Sequence, residues 1–108
     1  MAQNLDTYLR YSELLSIYQN LLSDTQREVL EDYFSFNLSV SEIAENRHIS
    51  RAAVEDAIKK GKKKLDDFES KLCSLRALQE IHSLKAETSD EKILQKLDEI
   101  EGIMKHGI

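Results

Sequence analysis

Not one of the 108 residues is a proline, and the only glycines are Gly61, Gly102 and Gly107. Proline and glycine stop or bend regular structure. A chain this poor in them, rich throughout in Leu, Glu, Lys and Ala, reads as helices joined by short corners, so the fold class is all-α. Polar caps must then mark the corners. Ser23-Asp-Thr-Gln26 and Ser39-Val-Ser-Glu42 have the form of capping boxes, in which a serine oxygen receives an early helix amide and the Gln or Glu reaches back. Ser50, and Thr88 or Ser89, stand as further N-caps.

These caps divide the chain into five predicted helices. The first runs from Leu5 to about Leu22, with Leu14, Leu15, Tyr18, Leu21 and Leu22 on one face. The second, from the Ser23 cap to about Phe36, buries Val29, Leu30, Tyr33 and Phe34. A short third follows Ser39 and ends near Asn46. The fourth starts after Ser50 and meets no stop signal until about Lys85. At ~1.5 Å per residue it would be about 50 Å long. No small domain covers that length, so its later turns must project or fold back, and Gly61 is a possible bend. The last helix carries Ile93, Leu97, Ile100 and Met104 on one stripe. Residues 1–68 form the expected domain and 69–108 a helical extension.

Hydrophobic residues make up 41% of the chain, enough for a core, yet no apolar run is long enough to span a membrane. With Asp6, Arg10 and Glu13 among its apolar positions, the start does not read as a signal peptide. The single cysteine, Cys73, excludes an intrachain disulfide, and the expected compartment is the cytoplasm. The net charge of −5 is unevenly spread. Residues 39–64 hold seven bases and four acids, net +3, between acidic flanks.

That basic segment also has helix-turn-helix spacing. Ala44 is the small residue where two helices can touch; Ile43 and Ile49 plug the corner; Val54 and Ala57 or Ile58 pack the second helix back on the first. The run Leu22-Ser-Asp-Thr-Gln26-Arg27-Glu28-Val29-Leu30 resembles the opening of region 4 of bacterial sigma factors. Ser39-Val-Ser-Glu-Ile-Ala44 and Ile49-Ser-Arg51-Ala-Ala-Val54 resemble its two helix-turn-helix halves. The run from Lys59 to Leu65 matches the basic end of its recognition helix. Together with the upstream segment Leu14–Leu22 and the acidic helical tail, the chain resembles the YlxM family of small bacterial proteins.

The resemblance implies a sigma-region-4-like helix-turn-helix bundle with a long fourth helix and a C-terminal helical extension. It further implies a DNA-binding regulatory protein taking part in the signal recognition particle pathway, whose genes commonly neighbour those of this family. The alternative is an adaptor that docks on signal recognition particle protein or RNA without reading DNA sequence. Two departures bear on this choice. His48 stands at the turn position usually held by glycine, so it must adopt positive φ. Glu55 and Asp56 occupy the groove face, where carboxylates repel phosphate and can read only cytosine amino groups. Nucleic-acid binding with weak sequence preference is therefore expected.

The expected phosphate contacts are Ser50 and Arg51 at the helix N-terminus and Lys59, Lys60, Lys62, Lys63 and Lys64 further along. The lysines spread over more than half the helix circumference, so they cannot all face one ligand. The tyrosines Tyr8, Tyr11, Tyr18 and Tyr33 lie at helical spacing and read as core or core edge. His48, His82 and His106 lie in separate segments, and Cys73 has no paired histidine and reads as a buried or interface residue. No catalytic, metal or cofactor site is expected. Finally, Val54, Ile58, Gly61, Leu65, Phe68, Leu72 and Leu75 follow one another at steps of four and three, a heptad seam. The seam shifts phase at Leu78, Ile81 and Leu84. The expectation is a homodimer through Leu65, Phe68, Leu72, Leu75, Ile93, Leu97, Ile100 and Met104, or a final helix that folds back to hide the stripe.

Overall fold

The structure, a computed structural model, describes residues 5–106. They form α1 (Leu5–Tyr18), α2 (Asp24–Leu30), α3 (Val40–Arg47), α4 (Arg51–Leu72), α5 (Ser74–Glu87) and α6 (Glu91–His106). There is no strand among the described residues. A tight 3₁₀ turn, Gln19–Leu21, closes α1 earlier than the apolar face suggested. The end of α2 widens over Glu31–Ser35 into a π-type turn, where the Phe36 amide donates to the Glu31 carbonyl at 3.0 Å.

The serine caps form where the sequence puts them. Ser23, Ser39 and Ser50 accept from the amides of Gln26, Glu42 and Ala53 at 3.2, 3.1 and 3.0 Å. Only the Ser39 box is reciprocal, with Glu42 accepting from the Ser39 amide at 3.1 Å. Gln26 does not reach back to Ser23; its Oε1 accepts from Lys64 Nζ at 3.0 Å. At the last corner Asp90, rather than Thr88 or Ser89, caps α6. Asp90 Oδ1 accepts from the Lys92 and Ile93 amides at 2.9 and 3.4 Å.

The core gathers α1, α2 and α3 around α4. Leu14, Tyr18, Val29, Leu30, Ile43, Val54 and Leu65 are its most enclosed side chains. Ala44 is buried in the α3–α4 corner, while Ile49 at the turn is only partly covered. Gly61 sits within an unbroken α4. It lets α4 approach α2 closely, and a Cβ there would lie 2.5 Å from Leu30 Cδ1. Arg47 joins α3 to α2: its Nε donates to Asp32 Oδ2 at 2.6 Å and its Nη1 to Glu28 Oε2 at 2.9 Å. Asp32, 8% exposed, is the one buried charged side chain among the described residues.

The long fourth helix stops at Leu72, not near Lys85. Cys73 takes left-handed geometry (φ 53°) and the chain turns back into α5. Glu69 holds this corner. Its carboxylate accepts from the amides of Leu75 and Arg76 at 3.0 and 3.1 Å, capping α5 from the preceding helix. Tyr18 locks it, donating to Glu69 Oε1 at 2.6 Å and accepting from the Ser74 amide at 3.1 Å. Leu75 thereby enters the core, although it lies beyond the expected boundary at residue 68. Cys73 is exposed at the corner, not buried in its own chain. α6 runs back along α5, where His82 pairs with Glu101 and Lys85 bridges Asp98 and Glu101. The His82 contact, with Lys85 beside it, holds the Glu101 carboxyl below the usual range.

Candidate nucleic-acid interface

Helices α3 and α4 meet through a turn whose geometry follows from hydrogen bonding. The Ile49 amide donates to the Ala44 carbonyl at 3.1 Å and the His48 amide to Glu45 at 3.4 Å. This six-to-one, five-to-two pairing needs a left-handed residue at its centre. His48 supplies it, at φ 57° and ψ 43°, as its place in the glycine position required. Ser50 then starts α4. Because Val54, Ile58, Gly61 and Leu65 turn inward, the outer face of α4 presents Arg51, Ala52, Asp56, Lys59 and Lys63 to solvent.

The seven expected contact residues are not equivalent. Ser50 Oγ is engaged by the Ala53 amide as the cap. Lys60 pairs with Asp56 at 3.1 Å, one turn back. Lys62 lies over the Tyr11 ring, 5.0 Å from its centroid, and Lys64 donates to Gln26. Arg51, Lys59 and Lys63 have no ion-pair or hydrogen-bond partner among the described side chains. They follow the solvent side of α4 over roughly 18 Å, twelve residues at ~1.5 Å each. Arg47, counted with the basic segment in sequence, is neutralised by Asp32 and Glu28. These two ion pairs leave no free positive charge from Arg47 on this face, while the Asp32 contact raises its guanidinium pKa and keeps it protonated.

Arg51 and Glu55 also border a cleft of about 470 Å³ beside α4, shared with Tyr8, Tyr33, Asn37 and Ser39. Tyr33 is a poor acid there. Burial, with the hydrogen bond to Tyr8, pushes its phenol up to about 12. The tyrosines are occupied by the core: Tyr8, Tyr11 and Tyr33 stack around Phe34, and Tyr18 lies against Phe68. Among the described residues no group of three or more His, Cys, Asp or Glu side chains could hold a metal ion. No described helix is long and apolar enough to cross a membrane.

The expected interface residues also separate. Leu65 is 0% exposed and sits in the chain's own core with Leu75, and Phe68 packs against that core. α1 packs along α4, with Tyr18 against Phe68, and Leu75 joins the core as α5 turns back, so Leu65, Phe68 and Leu75 are not free to meet a partner. Leu97 is buried against α5. Leu72, Ile93 and Ile100 are exposed and Met104 is half-buried. Sequence reasoning missed the Arg47–Asp32 pair and the Glu69 cap, since both depend on approaches between separate helices. One signal of the corner was present: the apolar steps change phase between Leu75 and Leu78, just beyond Cys73.

A short helix, a left-handed corner and a second helix with a basic outer face define a helix-turn-helix protein. Residues 5–105 match the UPF0122 family, described as "Putative helix-turn-helix protein, YlxM / p13 like", and the chain belongs to that family. It is similar to a UPF0122 protein of Fusobacterium nucleatum, 50% identical over 68 residues, covering 63% of this chain and 66% of that protein. The chain therefore spans just under two thirds of that relative. A UPF0122 protein of Malacoplasma penetrans is 40% identical over 90 residues, covering 83% and 84% of the two chains. One of Lactococcus lactis subsp. cremoris is 37% identical over 101 residues, covering 87% and 89%.

Proposed function

We propose that this protein is a DNA-binding regulator that grips the phosphate backbone through α4 and discriminates sequence weakly. The observation that carries the reading is the set of unpartnered cations, Arg51, Lys59 and Lys63, along the exposed side of the second helix of a helix-turn-helix. Phosphate contacts of this kind give affinity without sequence information. Lys60, Lys62 and Lys64 would join only after leaving Asp56, Tyr11 and Gln26, so their contribution is smaller. Glu55 and Asp56 are exposed on the same helix and disfavour a close fit to most base edges. We place this activity in the signal recognition particle pathway on the family resemblance alone.

The test is a titration of duplex DNA at increasing salt, followed by fluorescence anisotropy. Three phosphate contacts correspond to a log–log slope of about −3. The triple variant Arg51→Gln, Lys59→Gln, Lys63→Gln should lose most of that slope on every sequence tried. Lys60→Gln, Lys62→Gln, Lys64→Gln should keep more of it. If the parent shows no binding even at low salt, the adaptor reading replaces this one, and capture of signal recognition particle protein or RNA becomes its test.

A further inference from the structure

The α5–α6 hairpin is covered on one side only. Leu75, Leu78 and His82 lie on the face of α5 that borders a groove beside Glu13 and Ile17 of α1. Ala77, Ile81 and Leu84 occupy the opposite face at the same helical spacing. Beside them α6 carries Ile93, Leu97, Ile100 and Met104 as one stripe. Leu97 is buried between the two helices and Ala77, Ile81 and Met104 are half-buried, but Leu84, Ile93 and Ile100 are 45%, 43% and 38% exposed, so the open part of this layer is an apolar patch of these three side chains.

We propose that this layer binds a second copy of the chain, two hairpins closing face to face into a four-helix bundle with α5 of each copy beside α6 of the other. Charge selects both the partner and the orientation. At the loop end, the outer edge of α5 carries Glu87 and the outer edge of α6 carries Lys92 and Lys96; Lys96 lies 3.4 Å from Glu99 of its own helix, an exposed pair it would exchange for the partner. The His82–Glu101 pair fixes which residues stand level within the hairpin. Glu87 is five residues nearer the loop than His82, and Lys96 five nearer than Glu101, so the two lie level on opposite edges. A twofold axis parallel to the hairpin keeps both loop ends together and sets Glu87 against the partner's Lys96, twice. An acidic edge and a basic edge at one level on one chain is the self-complementarity that such symmetry requires.

The size also fits. Two helices of 14 and 16 residues, each about 10 Å wide, present a footprint of roughly 450 Å² per copy. Together the copies bury on the order of 900 Å² or somewhat more, the size of a weak, reversible interface. A dimer forming at micromolar concentration is expected. It is independent of the DNA reading, because α4 presents its cations from another part of the molecule.

Sedimentation equilibrium of the full chain, from about 1 to 200 µM, tests the proposal. The parent should move from monomer to dimer across that range. Ile93→Glu with Ile100→Glu should weaken association at least about tenfold at unchanged helicity. Glu87→Lys alone, an exposed change that spares the fold, should weaken it roughly threefold to tenfold, and adding Lys96→Glu should restore it. A parent that stays monomeric throughout, or a charge exchange that restores nothing, overturns the proposal. If the isoleucine variant unfolds, the charge exchange decides.

Discussion

The hydroxyl of Tyr18 stands 2.6 Å from Glu69 Oε1, and this one contact ties the first helix to the corner where the fourth ends. The phenol donates to the carboxylate and accepts from Ser74, while the carboxylate receives two amides of α5. Tyr18→Phe keeps the ring against Phe68 but leaves the Ser74 amide without its acceptor. The expected loss is about 1–2 kcal/mol in urea unfolding. Amides at the start of α5 should lose hydrogen-exchange protection before those of α4.

Tyr18, with Tyr11 and Tyr33, makes the protein sensitive to alkali. Tyr18 and Tyr11 are raised above 10.0, chiefly by burial and then by their bonds to Glu69 and Asp66. Tyr33 is pushed up to about 12. A phenol with a raised folded pKa holds its proton more tightly folded than unfolded. The stability it contributes is complete below pH 10, where both states are protonated, and is lost as pH rises through the folded values. Urea midpoints should therefore fall steadily above about pH 10. Tyr33→Phe should flatten the fall.

Arg47 and Asp32 form a partly buried pair that holds α3 against α2. Arg47→Ala leaves the Asp32 carboxylate 8% exposed without its partner. The expected cost is about 1–3 kcal/mol, read by thermal or urea unfolding. Asp32→Asn should cost less, because no buried charge is stranded. A double-mutant cycle should return a coupling of at least ~0.5 kcal/mol.

Gly61→Ala sets two effects against each other. Alanine gains ~1 kcal/mol over glycine in a helix interior. The new Cβ, however, would fall 2.5 Å from Leu30 Cδ1 and 3.0 Å from Cγ, and Leu30 is fully enclosed. Overpacking of this kind costs about 1–3 kcal/mol. The net result should be destabilisation by up to ~2 kcal/mol. Combining Gly61→Ala with Leu30→Ala should cost less than the sum of the two single changes, as judged from urea unfolding.

How far the sequence could be read depended on the reach of each interaction. The Ser23, Ser39 and Ser50 caps were legible because a serine and its acceptor amide lie three residues apart. The left-handed His48 was legible because it stands at the turn position that the resembled helix-turn-helix proteins usually give to glycine. Gln26 was misread, since its side chain prefers Lys64, 38 residues away, to its own cap. The lysine run was visible as charge, but its division into free and engaged members depends on Tyr11, Gln26 and Asp56. Of the expected interface residues, Leu65 lies in the core and Leu75 joined it once α5 turned back, whereas Leu72, Ile93 and Ile100 stayed outside.

The sequence by itself determined the helical class, the starts of α2, α3 and α4 and the helix-turn-helix spacing. Those follow from propensity, caps and apolar period, which act within about one turn of helix. Only the tertiary structure decided where α4 ends, which cations of its outer face are free and which side of the C-terminal hairpin is left uncovered. The corner at Cys73 has no glycine or proline to announce it. It exists because Glu69 can cap α5 once Tyr18, 51 residues earlier, is brought beside it.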